Sequence, residues 1–110
     1  MSAPAQRSSE STGVEPASSA DAVVRELKIC NRKGLHARAS AKLTKLAGSF
    51  PCDVWLSRGE RRVNAKSIMG VMMLAAGIGA EITIETDGER EQEAMDALLA
   101  LIGDRFGEGE

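Results

Sequence analysis

Residues 31–50 read NRKGLHARASAKLTKLAGSF, and the point where this stretch changes its period decides the fold. Asn31 to Gly34 punctuate the chain and continue no pattern. From Ala37 onward, Ala39, Leu43, Leu46, Ala47 and Phe50 fall on one helical face while Lys42 and Lys45 lie off it, which predicts an amphipathic helix. Gly48 suits the end of that helix. His36, the one histidine of the chain, stands at its start.

Upstream, Val23, Arg25, Leu27 and Ile29 alternate with Val24, Glu26 and Lys28, the period of a strand. Downstream, residues 52–58 (CDVWLSR) predict a second strand with Cys52, Val54 and Leu56 on one side. Residues 60–65 follow across a short Arg-Gly turn as its hairpin partner. Ser67 is a good N-cap for the short, very apolar helix IMGVMMLAAG. AEITIETDG is the clearest strand, with Ile82, Ile84 and Thr86 on one face. Asp87 is then expected to cap a last helix whose first turns carry Glu89, Glu91 and Glu93, with Ala94, Leu98, Leu101 and Ile102 as its buried stripe. The order β-α-β-β-α-β-α describes an α+β two-layer sandwich, helices segregated to one face of a four-stranded sheet.

A length of 110 residues holds one domain, and 43% hydrophobic with 27% charged residues is ordinary for a globular chain. With two Phe, one Trp and no Tyr, the core must come from Leu, Ile, Val, Met and Ala. Residues 1–22 differ in kind: six serines, two prolines and no apolar run predict a disordered tail, leaving residues 23–110 as the domain. The tail has no signal-peptide core, and no stretch is long enough to span a bilayer, so no membrane is expected. Cys30 and Cys52 follow no CxxC spacing and have no pair of histidines to complete a metal site. Both are expected to be free thiols packed as small hydrophobes, and neither a metal nor a cofactor is expected.

Charge is unevenly spread. From Val23 to Lys66 eleven Lys or Arg face three acids, a net of +8, and from Ser67 to Glu110 two Arg face ten acids, a net of −8. The basic half can steer an acidic partner.

His36 precedes a helix whose first N–H groups lack intrahelical partners, at the positive end of the macrodipole. An anion placed there is bound by those donors, and Arg38 adds a guanidinium fork that matches phosphate oxygens. Imidazole is a nucleophile that titrates near neutrality, and neighbouring positive charge favours its unprotonated, reactive form. The arrangement suits carriage of a phosphoryl group on His36 better than metal binding.

KGLHARASAKL (residues 33–43) resembles the active-site segment of the HPr family, the histidine-containing phosphocarriers of the bacterial phosphotransferase system. NAKSIMGVMMLAA (residues 64–76) resembles that family's second motif. The likeness covers most of residues 24–106. It implies an open-faced sandwich of four antiparallel strands with three helices on one face. It further implies that His36 accepts phosphate on Nδ1 from phosphorylated enzyme I, which takes it from phosphoenolpyruvate, and hands it to a histidine of an enzyme IIA-type protein. Arg38 would neutralise the phosphate, with the N–H groups of Ala37 and Arg38 as donors. Ser67 matches a serine that a kinase modifies in some bacteria, with a phosphorylase as the reverse partner. Ile68, Met69 and Met72, beside Ala41, Lys42 and Lys45, match the partner-docking surface; so apolar a helix should leave some of these residues exposed. A cytoplasmic monomer is implied. Ala39 stands where the family commonly has proline, restoring an N–H. That absence and the acidic RFGEGE end resemble nitrogen-regulatory carriers of alphaproteobacteria more than sugar-transport carriers.

Two other classes compete. A small nucleic-acid-binding module would present aromatics on its sheet, and only Trp55 is available, so no nucleic-acid partner is expected. A regulator of the same fold that binds partners under Ser67 control without transferring phosphate would be expected to lack the histidine. An enzyme with its own pocket would need a second titratable group near His36, and none is read there. The chain is expected to be a stoichiometric carrier.

Overall fold

The computed structural model describes residues 22–108, so the serine-rich stretch expected to form a tail lies, but for Ala22, outside the described residues. In chain order the elements are β1 (Val23–Lys28), α1 (Ala37–Gly48), β2 (Asp53–Arg58), β3 (Arg61–Asn64), α2 (Ile68–Met73), β4 (Glu81–Asp87) and α3 (Glu91–Gly103), with a 3-10 turn at Arg105–Gly107. The sheet order is β1-β4-β2-β3, every pair antiparallel. Three helices cover one face, the open-faced sandwich expected from the sequence.

Register explains which residues go inside. Leu56 lies opposite Ile84 and Val54 opposite Thr86, and residues paired across strands share a face. Val54, Leu56, Ile82 and Ile84 therefore meet Ala39, Leu43 and Ala47 of α1, Val71 of α2, and Leu98 and Ile102 of α3, all of them buried. The opposite face is polar. There the Arg62 guanidinium lies 4.2 Å from the Trp55 ring centroid and its Nε is 3.2 Å from Glu85 Oε1, so one face of the single tryptophan is already covered.

Several expectations need correction. Asp87 does not cap the last helix: it ends β4 opposite Asp53. The turn that follows brings Arg90 to the N-cap position in a left-handed conformation (φ 63°) with no side-chain cap bond. Glu91 Oε1 instead accepts the Gly88 N–H at 2.9 Å, and Thr86 Oγ1 donates to the Glu91 carbonyl at 2.9 Å. Glu89 is thus outside the first helical turn, and Glu91 and Glu93 are in it. In α3 the buried stripe contains Met95 while Leu101 is half-exposed, a rotation of the buried face by part of a turn. In α1 Ser40 is buried and Leu46 only partly so, as is Phe50 beyond the helix end. Cys52 is a buried free thiol, whose pKa burial pushes up, but Cys30 is exposed, with its Sγ 3.2 Å from the Ile102 carbonyl.

Candidate functional site

The loop before α1 is built around a close approach. Gly34 has φ +65°, and a Cβ there would lie 2.5 Å from the Ala76 carbonyl oxygen and 2.7 Å from Gly77 Cα. The next residue confirms the contact, Leu35 N–H donating to Ala76 O at 2.8 Å. The Leu35 carbonyl in turn accepts from Ser40 Oγ at 3.0 Å. The backbone entering His36 is therefore clamped from the α2–β4 connection and from inside α1. Gly34→Ala is expected to destabilise the fold by about 2 kcal/mol or more, combining a left-handed φ with a clash against backbone. Denaturant unfolding measures it; a loss under about 0.5 kcal/mol would show that the connection simply shifts.

His36 is the N-cap of α1, with extended backbone (φ −75°, ψ 179°), and its Nδ1 accepts the Arg38 N–H at 3.3 Å. The first turn carries no acidic residue. Arg38 and Lys42 are exposed, and with Arg32, Lys33, Gly107 and Glu108 they line a cavity of about 320 Å3. The Arg38 guanidinium has no ion pair among the described residues. An open basic hollow thus adjoins the only imidazole.

No second titratable group near His36 is legible in the sequence, and the structure corrects this. Glu108 Oε2 lies 2.5 Å from His36 Nε2. Its other oxygen accepts Asn31 Nδ2 at 3.1 Å, and the same Nδ2 lies 2.9 Å from the Gly34 carbonyl. Burial pushes the Glu108 carboxyl upward, but the hydrogen bonds from Asn31 and His36 and the charges of His36 and Lys42 outweigh it, holding it below the ordinary carboxylate value. Glu108 arrives by a hook after α3, in which Arg105 (φ 53°) and Phe106 (φ 56°) are both left-handed. Each such residue costs roughly 1–2 kcal/mol. Full burial of the Phe106 side chain and a 2.6 Å bond from Lys42 Nζ to its carbonyl offset that cost. Seventy-two residues separate the two partners, so no local pattern could have found Glu108 or Asn31.

In the imidazole so held, Nε2 meets the carboxylate and Nδ1 faces only the longer 3.3 Å bond from the Arg38 N–H. A proton on Nε2 faces a carboxylate, which leaves the Nδ1 lone pair for chemistry.

The second set of expected residues lies on α2, which packs beside α1. Ser67 is its N-cap, and its Oγ accepts the Gly70 N–H at 3.2 Å. Val71 and Leu74 are buried while Ile68, Met69, Met72 and Met73 are exposed, Met69 by 68%. Ala41, Lys42 and Lys45 are exposed on α1. Ile78, in the connection between α2 and β4, is also exposed. Among the described residues no helix is long and apolar enough to cross a membrane.

Residues 23–104 match the family model described as the PTS HPr component phosphorylation site. The phosphocarrier protein HPr of Cupriavidus necator is 71% identical over 86 residues, 78% of this chain and 97% of that protein. The phosphocarrier protein NPr of Shewanella violacea is 40% identical over 84 residues, 76% of this chain and 92% of that one. A crystal structure of HPr from Thermoanaerobacter tengcongensis superposes with a TM-score of 0.76 at 38% identity, covering 78% of this chain and 97% of that one. By sequence over 78% of its length and by fold, this chain belongs to the HPr family of phosphotransferase-system phosphocarriers.

Proposed function

We propose that His36 receives a phosphoryl group on Nδ1 from phosphorylated enzyme I and passes it to a histidine of an enzyme IIA-type protein. The observation that carries this is the ring's binding geometry: Nε2 is occupied by Glu108 while Nδ1 faces the Arg38 N–H at the helix start. In each transfer the incoming nitrogen lone pair attacks phosphorus, and the outgoing P–N bond breaks with its electrons returning to the donor ring. Helix-start N–H groups of Ala37 and Arg38 and the guanidinium of Arg38 balance the phosphate charge. The protein ends each cycle unchanged only after both partners have acted, so it is a stoichiometric carrier, working in the cytoplasm as a monomer. Incubating the labelled phospho-protein with nitrogen-regulatory-type and sugar-type enzyme IIA proteins tests the second half. Label moving to one of them names the branch; label retained in the presence of both contradicts the carrier reading.

Docking is assigned to the exposed Ile68, Met69 and Met72 with Ala41, Lys42 and Lys45. This is an apolar centre flanked by cations, suited to a partner with acids around an apolar patch. Ser67 borders that surface. A kinase adding phosphate there would bring a charge of about −1.5 to −2 next to Ile68, and a phosphorylase would remove it. Ser67→Asp is expected to raise the KM for enzyme I about tenfold with a smaller change in kcat. An unchanged KM would remove Ser67 from the docking surface.

A further inference from the structure

We infer that Glu108, held by Asn31, is a positioning residue that selects which nitrogen of His36 takes the phosphoryl group and keeps the other protonated so that the group can leave. The inference rests on the phosphocarrier reading and deepens it. Glu108 lies on the C-terminal hook, past the segment 23–104 that matches the family model.

Three observations converge. The carboxylate touches Nε2 at 2.5 Å, and both partners are sheltered, with side-chain exposures of 28% for His36 and 15% for Glu108. Its second oxygen is tied to Asn31, a fully buried amide. Asn31 Nδ2 is spent on Glu108 and on the Gly34 carbonyl, while Oδ1 has no partner among the described residues. A buried amide with an orphaned oxygen is costly, so its two donations fix the geometry of both the loop before His36 and the carboxylate behind it. The hook that delivers Glu108 is itself anchored by Lys42 on the Phe106 carbonyl.

The chemistry needs such a group. When phosphorus leaves Nδ1, the P–N electron pair returns to that nitrogen. If Nε2 carries a proton throughout, the departing ring is neutral imidazole; without it, the ring would leave as an anion. Once Nδ1 is phosphorylated and Nε2 is protonated, the ring is cationic, and the Glu108 carboxylate balances it. The same contact covers Nε2 against attack. The charged groups around this pair are Arg32, Lys33, Arg38 and Lys42, which line the same hollow. They favour the Glu108 carboxylate and the incoming phosphate alike, and among the described residues no other acid lines it.

Phosphoramidate, a chemical donor, tests this without enzyme I, so a failure of partner transfer would not be confused with a failure of this inference. The full chain is phosphorylated and the adduct is read by phosphorus and nitrogen NMR, which separate Nδ1 from Nε2 phosphohistidine. Wild type should carry phosphate on Nδ1. Glu108→Ala should raise the Nε2 fraction about tenfold. Glu108→Gln keeps an acceptor for Nε2–H and should keep the Nδ1 product, but without the charge its phosphoryl group should be lost about tenfold more slowly at neutral pH. Its loss-against-pH curve should move to lower pH. Asn31→Ala should fall between wild type and Glu108→Ala; should that core variant fail to fold, the two Glu108 variants decide the question alone. Wild-type regiochemistry in Glu108→Ala together with a wild-type pH profile in Glu108→Gln would overturn the inference.

Discussion

Phe106→Ala is expected to lower stability by about 3–5 kcal/mol, the usual cost of emptying a fully buried aromatic site. In a domain of this size that amounts to a fall of about 15 °C or more in Tm. Two features place the change at the high end. Phe106 is fully buried against the core, and it sits in a left-handed conformation that only its burial makes worthwhile. Its carbonyl also receives Lys42 Nζ, so the loss reaches α1. Circular dichroism melts measure the stability. Under the same conditions, the carbon NMR titration of the Glu108 carboxyl should move up toward the ordinary value as its hydrogen bonds loosen. A loss below about 1 kcal/mol would mean that the hook is pinned by something other than this ring.

The second large effect is on rate. Arg38→Ala removes an exposed guanidinium without a partner among the described residues, so stability should change by no more than about 0.5 kcal/mol. The rate of phosphorylation should fall about a hundredfold, the scale found when one donor to a developing oxyanion is removed. Arg38→Lys should recover part of that, keeping the charge and losing the planar fork. Rapid-quench kinetics with phosphorylated enzyme I give both numbers. Wild-type rates in Arg38→Ala would take the residue out of the site and leave the backbone donors to act alone.

The parts of the fold and site that are legible in the sequence are those whose determinants are local. His36, Arg38 and the helix behind them are legible because a cap, a periodic face and a nucleophile fall within a few residues. The four strands are legible because Ile82, Ile84 and Thr86, or Cys52, Val54 and Leu56, alternate cleanly. Ser67 worked as a cap because its side chain needs only the N–H three residues on. Asp87 failed for a related reason. It has the right side chain, but pairing with β2 prolongs β4 through it and moves the helix start to Glu91. Met95 and Leu101 exchanged places because spacings of three and four residues are both compatible with a helical face. What decided between them was the sheet beneath. Gly34 looked like punctuation; its reason is the Ala76 carbonyl forty-two residues on. Glu108 was the largest omission. An acid two residues past a phenylalanine has no meaning until two left-handed residues turn it back onto His36.

Whether His36 carries the phosphoryl group is decided by the intact mass of the full chain after incubation with phosphoenolpyruvate and an enzyme I shown to be active on another carrier, beside His36→Ala. A single acid-labile phosphate is expected on wild type and none on folded His36→Ala. Phosphate on both proteins, or on neither while the control carrier is modified, would contradict carriage on His36.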